Sequence, residues 1–152
     1  MMSVSLDGYV AGTDGDLSWH RVDDELHTHF NDVLGRMGGF LNGRVMYELM
    51  AAVWPTADQD LASTPPMVEF ARIWRDMPKV VYSKTFETTE WNTTVVREVV
   101  PGEVRALKEQ QGGDLAVGGV ALAHVFLEQD LVDELRLYLH PVLVGDGKQL
   151  FP

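Results

Sequence analysis

The chain has 152 residues, 45% of them hydrophobic, no cysteine and a formal net charge of −11. That length and apolar share suit a single domain over residues 1–152 with a real core, and the missing thiols exclude disulfides, thiolate metal sites and cysteine nucleophiles while fitting a reducing cytoplasm. The acidity repels nucleic acid and anionic membranes, no stretch is long and apolar enough to span a bilayer, and "MMSVSLDGYV" lacks the basic segment and apolar core of a signal peptide.

In chain order, "SVSLDGYVAG" alternates Val4 and Leu6 with Ser3 and Ser5 up to Gly8, the pattern of a strand, and leads into an irregular segment rich in glycine and aspartate that ends at Trp19. Asp23 can cap a helix whose face carries Leu26, Phe30, Val33, Leu34 and Met37, with Gly38-Gly39 as its stop. "FLNG" is a short strand, "RVMYELMAAVW" a helix stopped by Pro55, residues 56–66 a loop, and 68–75 a short helix. "KVVYS" has the composition of a buried strand and "NTTVVREVV" of a more exposed one. Pro101 opens a helix through Gln110 that Gly112-Gly113 ends; "LAVGG" is an apolar strand, "VALAHVFLEQD" a helix and "ELRLYLHPVLVG" a long strand. Strands alternate with helices almost throughout, which predicts an α/β sheet with helices on both faces, a three-layer α/β/α arrangement. "GDGKQLFP" then follows the longest strand with turn chemistry. A last strand with no successor leaves an open edge, so either the chain is cut short or further residues follow.

Three strand ends carry chemistry suited to anions. At Gly118-Gly119 a strand feeds directly into a helix, where free N–H groups sit at a positive dipole end and no Cβ blocks approach; a plain turn is the other reading. Gly43-Arg44 repeats the arrangement with a cation at the helix start, which is unfavourable there unless an anion is near, although pairing with Glu48 four residues on also accounts for it. Ser83-Lys84 lies just past "KVVYS", at the strand end where open α/β sheets bind ligands, and equally reads as the start of a polar loop. Together the three suggest one dinucleotide bound across the sheet edge, without a GxGxxG fingerprint. Trp19 either shields a site at the end of a mobile loop or anchors that loop in the core. Asp24 either serves the first helix dipole or handles a proton. The histidines, His20, His27, His29, His124 and His140, form no HExxH pattern, and no metal site is expected.

The segments "SVSLDGYVAG…DLSW", "NGRVMYE", "VVYSKT", "VRALKEQQGGDLAVGG" and "LVDELRLYLHPVLVGDGKQLF", in this order over almost the whole chain, resemble the dihydrofolate reductase-like superfamily. Within it they are most similar to the C-terminal reductase domain of bifunctional riboflavin-biosynthesis deaminase/reductases. The resemblance implies a mixed, mostly parallel sheet flanked by helices, NADPH as hydride donor, and a homodimer. It implies that Gly43, Arg44, Val45 and Ser83, helped by Lys84, hold the 2′-phosphate and pyrophosphate. Gly118, Gly119, Val120 and Ala121 would carry the pyrophosphate, and Val10, Ala11 and Trp19 would lie against the nicotinamide. Asp24 falls near the substrate acid of folate reductases. Val117 stands where riboflavin-pathway reductases carry a substrate-binding glutamate, no zinc deaminase motif is present, and the family's closing hairpin of one or two strands after Leu150-Phe151 is not in the sequence. The expectation is an NADPH-dependent reductase of a small heterocyclic or carbonyl/imine substrate. The alternatives are 5-amino-6-(5-phosphoribosylamino)uracil reductase and a nucleotide-binding module without turnover.

Overall fold

The computed structural model describes residues 1–87, 90–110 and 112–151; Gln111 and Pro152, which belong to two of the segments quoted above, lie outside them. The chain forms two compact units, residues 23–131 and residues 1–22 with 132–152.

The larger unit is an α/β unit. It begins with α1 (Asp24–Leu34), where the Asp23 carboxylate accepts from the Leu26 amide at 2.9 Å, as its sequence position predicts. The helix stops at Gly35, a turn before the expected Gly38-Gly39, because Gly39 already opens β3. Strand β3 (Gly39–Gly43) leads straight into α2 (Arg44–Ala51), and a 3-10 turn over Trp54–Gln59 replaces part of the expected loop. Helix α3 (Pro65–Asp76) starts earlier than its apolar pattern suggests. Its two prolines occupy the first helical positions, where a missing N–H costs nothing. Strand β4 (Lys79–Tyr82) and strand β5 (Thr93–Val96) follow, then α4 (Pro101–Glu109), β6 (Leu115–Gly118) and α5 (Val120–Glu128). Strand β5 is shorter than "NTTVVREVV" because its partner β4 ends at Tyr82, and Ser83 N to Val96 O is the last rung.

The four strands pair in the order β5-β4-β3-β6, all parallel. Register puts Phe40, Asn42, Lys79, Val81, Ala116 and Gly118 on one face and Leu41, Val80, Tyr82 and Val117 on the other. The first face meets α2 and α3 through a core of Phe40, Tyr47, Phe70, Trp74, Met77 and Val81. The second meets α5, whose Phe126 packs edge-on against Tyr82 with ring centroids 5.8 Å apart. Helices therefore cover both faces, as expected.

The smaller unit joins both ends of the sequence. Strand β1 (Met2–Ser5) pairs in parallel with β7 (Leu137–His140), and β2 (Tyr9–Ala11) pairs antiparallel with β8 (Lys148–Gln149). The long strand expected from Glu134 onward is cut to four residues: Pro141 has no N–H to donate, and Val142 N turns back onto His140 O at 2.8 Å. Asp7 ties this unit together. Its carboxylate accepts from Ser5 Oγ at 2.5 Å, from Val144 N at 3.1 Å and from Gly145 N at 2.8 Å. These hydrogen bonds, Ser5's first, hold its pKa below the ordinary aspartate value. Gly147, at φ +135, passes so close to the Ala11 and Gly12 backbone that no Cβ fits.

Lys79 is the unexpected interior residue. It is 2% exposed, its Nζ donates to Met77 O at 2.7 Å and to Trp74 O, and it lies 4.4 Å from the centre of the Trp74 ring. The ammonium thus closes the negative end of α3. Burial lowers its pKa from 10.5 to about 8, with Asp76 opposing. Between these values the unfolded chain holds more protons on this lysine than the native one, so its contribution to stability is flat below pH 8 and grows as pH rises. Urea denaturation at pH 7.5 and pH 10 is expected to show the stability difference, wild type minus Lys79→Met, increasing by about 2 kcal/mol at the higher pH.

Candidate functional site

Strands β3 and β6 are neighbours in the sheet, yet their helices leave to opposite faces. Adjacent strands that part in this way open a crevice at their carboxyl ends. Gly43 caps α2 on one side and Gly119 caps α5 on the other, with Leu122 of α5 resting against Gly43. Neither helix has a side-chain cap or an acid in its first turn, whereas α1 has both. The first N–H groups of α2 and α5 are therefore left for an anion.

Room for that anion comes from the glycines. Gly119 has φ +97 and ψ 125, a conformation that L side chains rarely adopt, and a Cβ there would come to 3.4 Å from the Met46 Cβ. A Cβ at Gly118 would collide with Asn42 Oδ1. The two glycines form a cradle that any side chain would fill.

Ser83 directly follows β4, and its chain neighbour Tyr82 is paired in register with Gly43. Its hydroxyl oxygen accepts from Thr85 N at 3.3 Å and Phe86 N at 3.1 Å, which folds the following turn and leaves the hydroxyl proton to donate. Arg97 holds the same turn through the Ser83 and Phe86 carbonyls at 3.1 and 2.8 Å. Arg44 pairs with Glu48 at 3.4 Å, and both side chains are about half exposed, 49% and 47%. Such a pair is worth less than about 1 kcal/mol, so the guanidinium is readily redirected to a phosphate. Lys84 is exposed and makes no ion pair among the described residues. The larger unit thus brings Gly43, Arg44, Val45, Ser83, Lys84, Gly118, Gly119, Val120 and Ala121 to the carboxyl edge of one sheet.

Asp24 sits exposed in the first turn of α1, where its charge suits the helix dipole. Val10, Ala11 and Trp19 belong to the smaller unit, with Val10 and Ala11 on β2. Trp19 forms a cluster with His20 and His140, its ring centre 4.0 Å from the first and 5.5 Å from the second, while the two imidazoles stack within 14° at 5.4 Å. Trp19 Nε1 and both histidine Nε2 atoms are buried without a partner among the described residues. Sequence reading missed this cluster, because His20 and His140 lie too far apart in the chain to signal each other.

The sequence comparisons bear on the class of protein this edge belongs to. The family model described as RibD C-terminal domain matches residues 1–152, and the chain belongs to that family. It is similar to two Bacillus subtilis (strain 168) proteins described as uncharacterized. YyaP is 31% identical, covering 99% of this chain and 77% of that one, and YwjB is 24% identical, covering 99% and 79%. Among solved structures, a putative riboflavin biosynthesis protein from Shewanella sp. PV-4 superposes with a TM-score of 0.73 at 24% identity, covering 99% of this chain and 80% of that one. A diaminohydroxyphosphoribosylaminopyrimidine deaminase/5-amino-6-(5-phosphoribosylamino)uracil reductase from Thermotoga maritima gives 0.62 at 18% identity, covering 99% and 46%. These structures share the mostly parallel α/β fold. No described helix is long and apolar enough to cross a membrane.

Two outcomes test this geometry. Gly119→Val is expected to destabilise the protein by about 1–3 kcal/mol in urea melts, because it forces a side chain into a strained backbone beside Met46. In the smaller unit, burial and then the His140 charge hold the His20 pKa below 6.5. The stability this neutral ring contributes is complete above pH 6.5 and is lost as pH falls through the lower folded value. Proton NMR of the imidazoles should give a His20 midpoint below 6.5 that moves up in His140→Gln.

Proposed function

We propose that the protein is an NADPH-dependent reductase that transfers a hydride to a small heterocyclic or carbonyl/imine substrate. The observation that carries this reading is the crevice between β3 and β6, where two uncapped helix starts and the Gly118-Gly119 cradle lie on one sheet edge. Membership of the RibD C-terminal domain family supports the choice of cofactor. The fit is chemical: a pyrophosphate needs backbone N–H donors at close approach, and a cradle without Cβ atoms supplies it.

In this reading Gly118, Gly119, Val120 and Ala121 hold the pyrophosphate through backbone amides, and Gly43 and Val45 do so at the start of α2. Arg44 gives up its weak pair with Glu48 to bind the 2′-phosphate, and the Ser83 hydroxyl donates to a phosphate oxygen, with Lys84 adding charge. Val10, Ala11 and Trp19 are assigned to the nicotinamide on the strength of the resemblance. When bound there, NADPH would supply the hydride for reduction of a C=N or C=O bond, the nitrogen or oxygen taking the balancing proton. Asp24, directly or through a water, is the proposed proton carrier. The narrower activity, 5-amino-6-(5-phosphoribosylamino)uracil reduction, draws support from the name of the Thermotoga maritima protein. A homodimer belongs to the same proposal, supported by the exposed side chains of Leu137, Leu139 and Leu143.

Fluorescence titration checks the central reading. NADPH should bind more tightly than NADH, and Arg44→Ala should bring the two within about threefold of each other by removing the contact to the 2′-phosphate. Failure of both nucleotides to bind would sink the reductase reading. Equal binding of both to the wild type would remove Arg44's role.

A further inference from the structure

We propose that Asn42 is a ligand-contacting residue of this crevice, its side-chain amide donating to a phosphate oxygen of the bound dinucleotide; this rests on the reading above and adds a residue to it. Asn42 lies on β3, flanked by β4 and β6, and is 5% exposed. Its neighbours in the strand, Phe40 and Leu41, are core residues. Among the described residues its amide makes no hydrogen bond. Neither polar atom of the amide is among the fully buried, unpaired ones, so the amide reaches solvent at the end of the strand, where a ligand can take the place of water.

The position of the amide gives it a use. Asn42 directly precedes the cap of α2 and is paired across the sheet with Gly118. Its Oδ1 lies against Gly118, in space that exists because Gly118 has no Cβ, and Met46 from the first turn of α2 borders the same space at 3.2 Å. Asn42 therefore sits at the carboxyl end of β3, on the α2 side of the crevice. With the oxygen turned to the Gly118 backbone, the –NH2 half is what remains for a ligand. It offers two donors and no charge, which suits an acceptor-only phosphate in a strand where a buried cation would cost far more. The backbone amides of two helix starts surround the phosphate, and Asn42 adds a side-chain donor from the end of β3.

The test uses the full chain with NADPH, inorganic pyrophosphate and 2′-AMP as probes. Asn42→Leu should weaken NADPH and pyrophosphate about tenfold while leaving 2′-AMP unchanged. Asn42→Asp, which puts a negative charge in the same shape, should weaken both further. In the wild type, the Asn42 side-chain NH2 resonances should shift on adding pyrophosphate, a readout that does not depend on any variant folding. Binding of NADPH and pyrophosphate by Asn42→Leu within twofold of wild type, or unmoved NH2 resonances at saturation, overturns the role of Asn42 and leaves the dinucleotide reading standing. No binding of NADPH to the wild type overturns both.

Discussion

The crevice exists because two adjacent parallel strands, β3 and β6, send their helices to opposite faces while their ends stay in register. Asn42 pairs with Gly118 across that boundary, and the backbones approach there because one partner has no side chain. Filling Gly118 would push Asn42 out of its place; filling Gly119 would strain the start of α5 and press on α2. The path of both helices, the exposure of their first amides and the access of any ligand all follow from those missing Cβ atoms.

The charge balance fits the same design. On a chain with a net charge of −11, long-range attraction of an anion is weak, so capture has to be local. In the proposed reading the larger unit achieves it by what it leaves out. The exposed helix α1 carries a carboxylate cap and two acids in its first turn, while α2 and α5 carry neither. Acids are plentiful in the chain but absent from the two helix starts where they would compete with a phosphate.

The placement of the three glycine and serine junctions at one sheet edge was legible in the sequence because each junction is local: an apolar run, a glycine or serine and the next element lie within about a dozen residues. The cap at Asp23 and the ion pair of Arg44 with Glu48 were legible for the same reason. The smaller unit was not. Asp7-Gly8 reads as a turn, but the Asp7 carboxylate also binds amides 137 and 138 residues away, a link that periodicity cannot carry. The burial of Lys79 itself was not legible either. A lysine opening a strand suggests exposure, and only the end of α3, packed alongside, explains a buried ammonium. The prolines at 65 and 66 read as loop because proline breaks helices in their interior but is favoured in their first turn.

The pairing of β1 with β7 and of β2 with β8 has a consequence for assembly. The smaller unit is built from residues 1–22 and 132–152, so its N-terminal strands have no partners until more than a hundred further residues have been synthesised. The larger unit lies wholly in the intervening sequence and can collapse while those strands wait. Closing so long a loop is entropically cheaper once the chain between its ends is already compact. β1 can pair once residues 137–140 have emerged from the ribosome, but residues 1–22 gain their full set of contacts only after the Val144–Gly147 segment, which supplies both the amides for Asp7 and the close fit over Gly12.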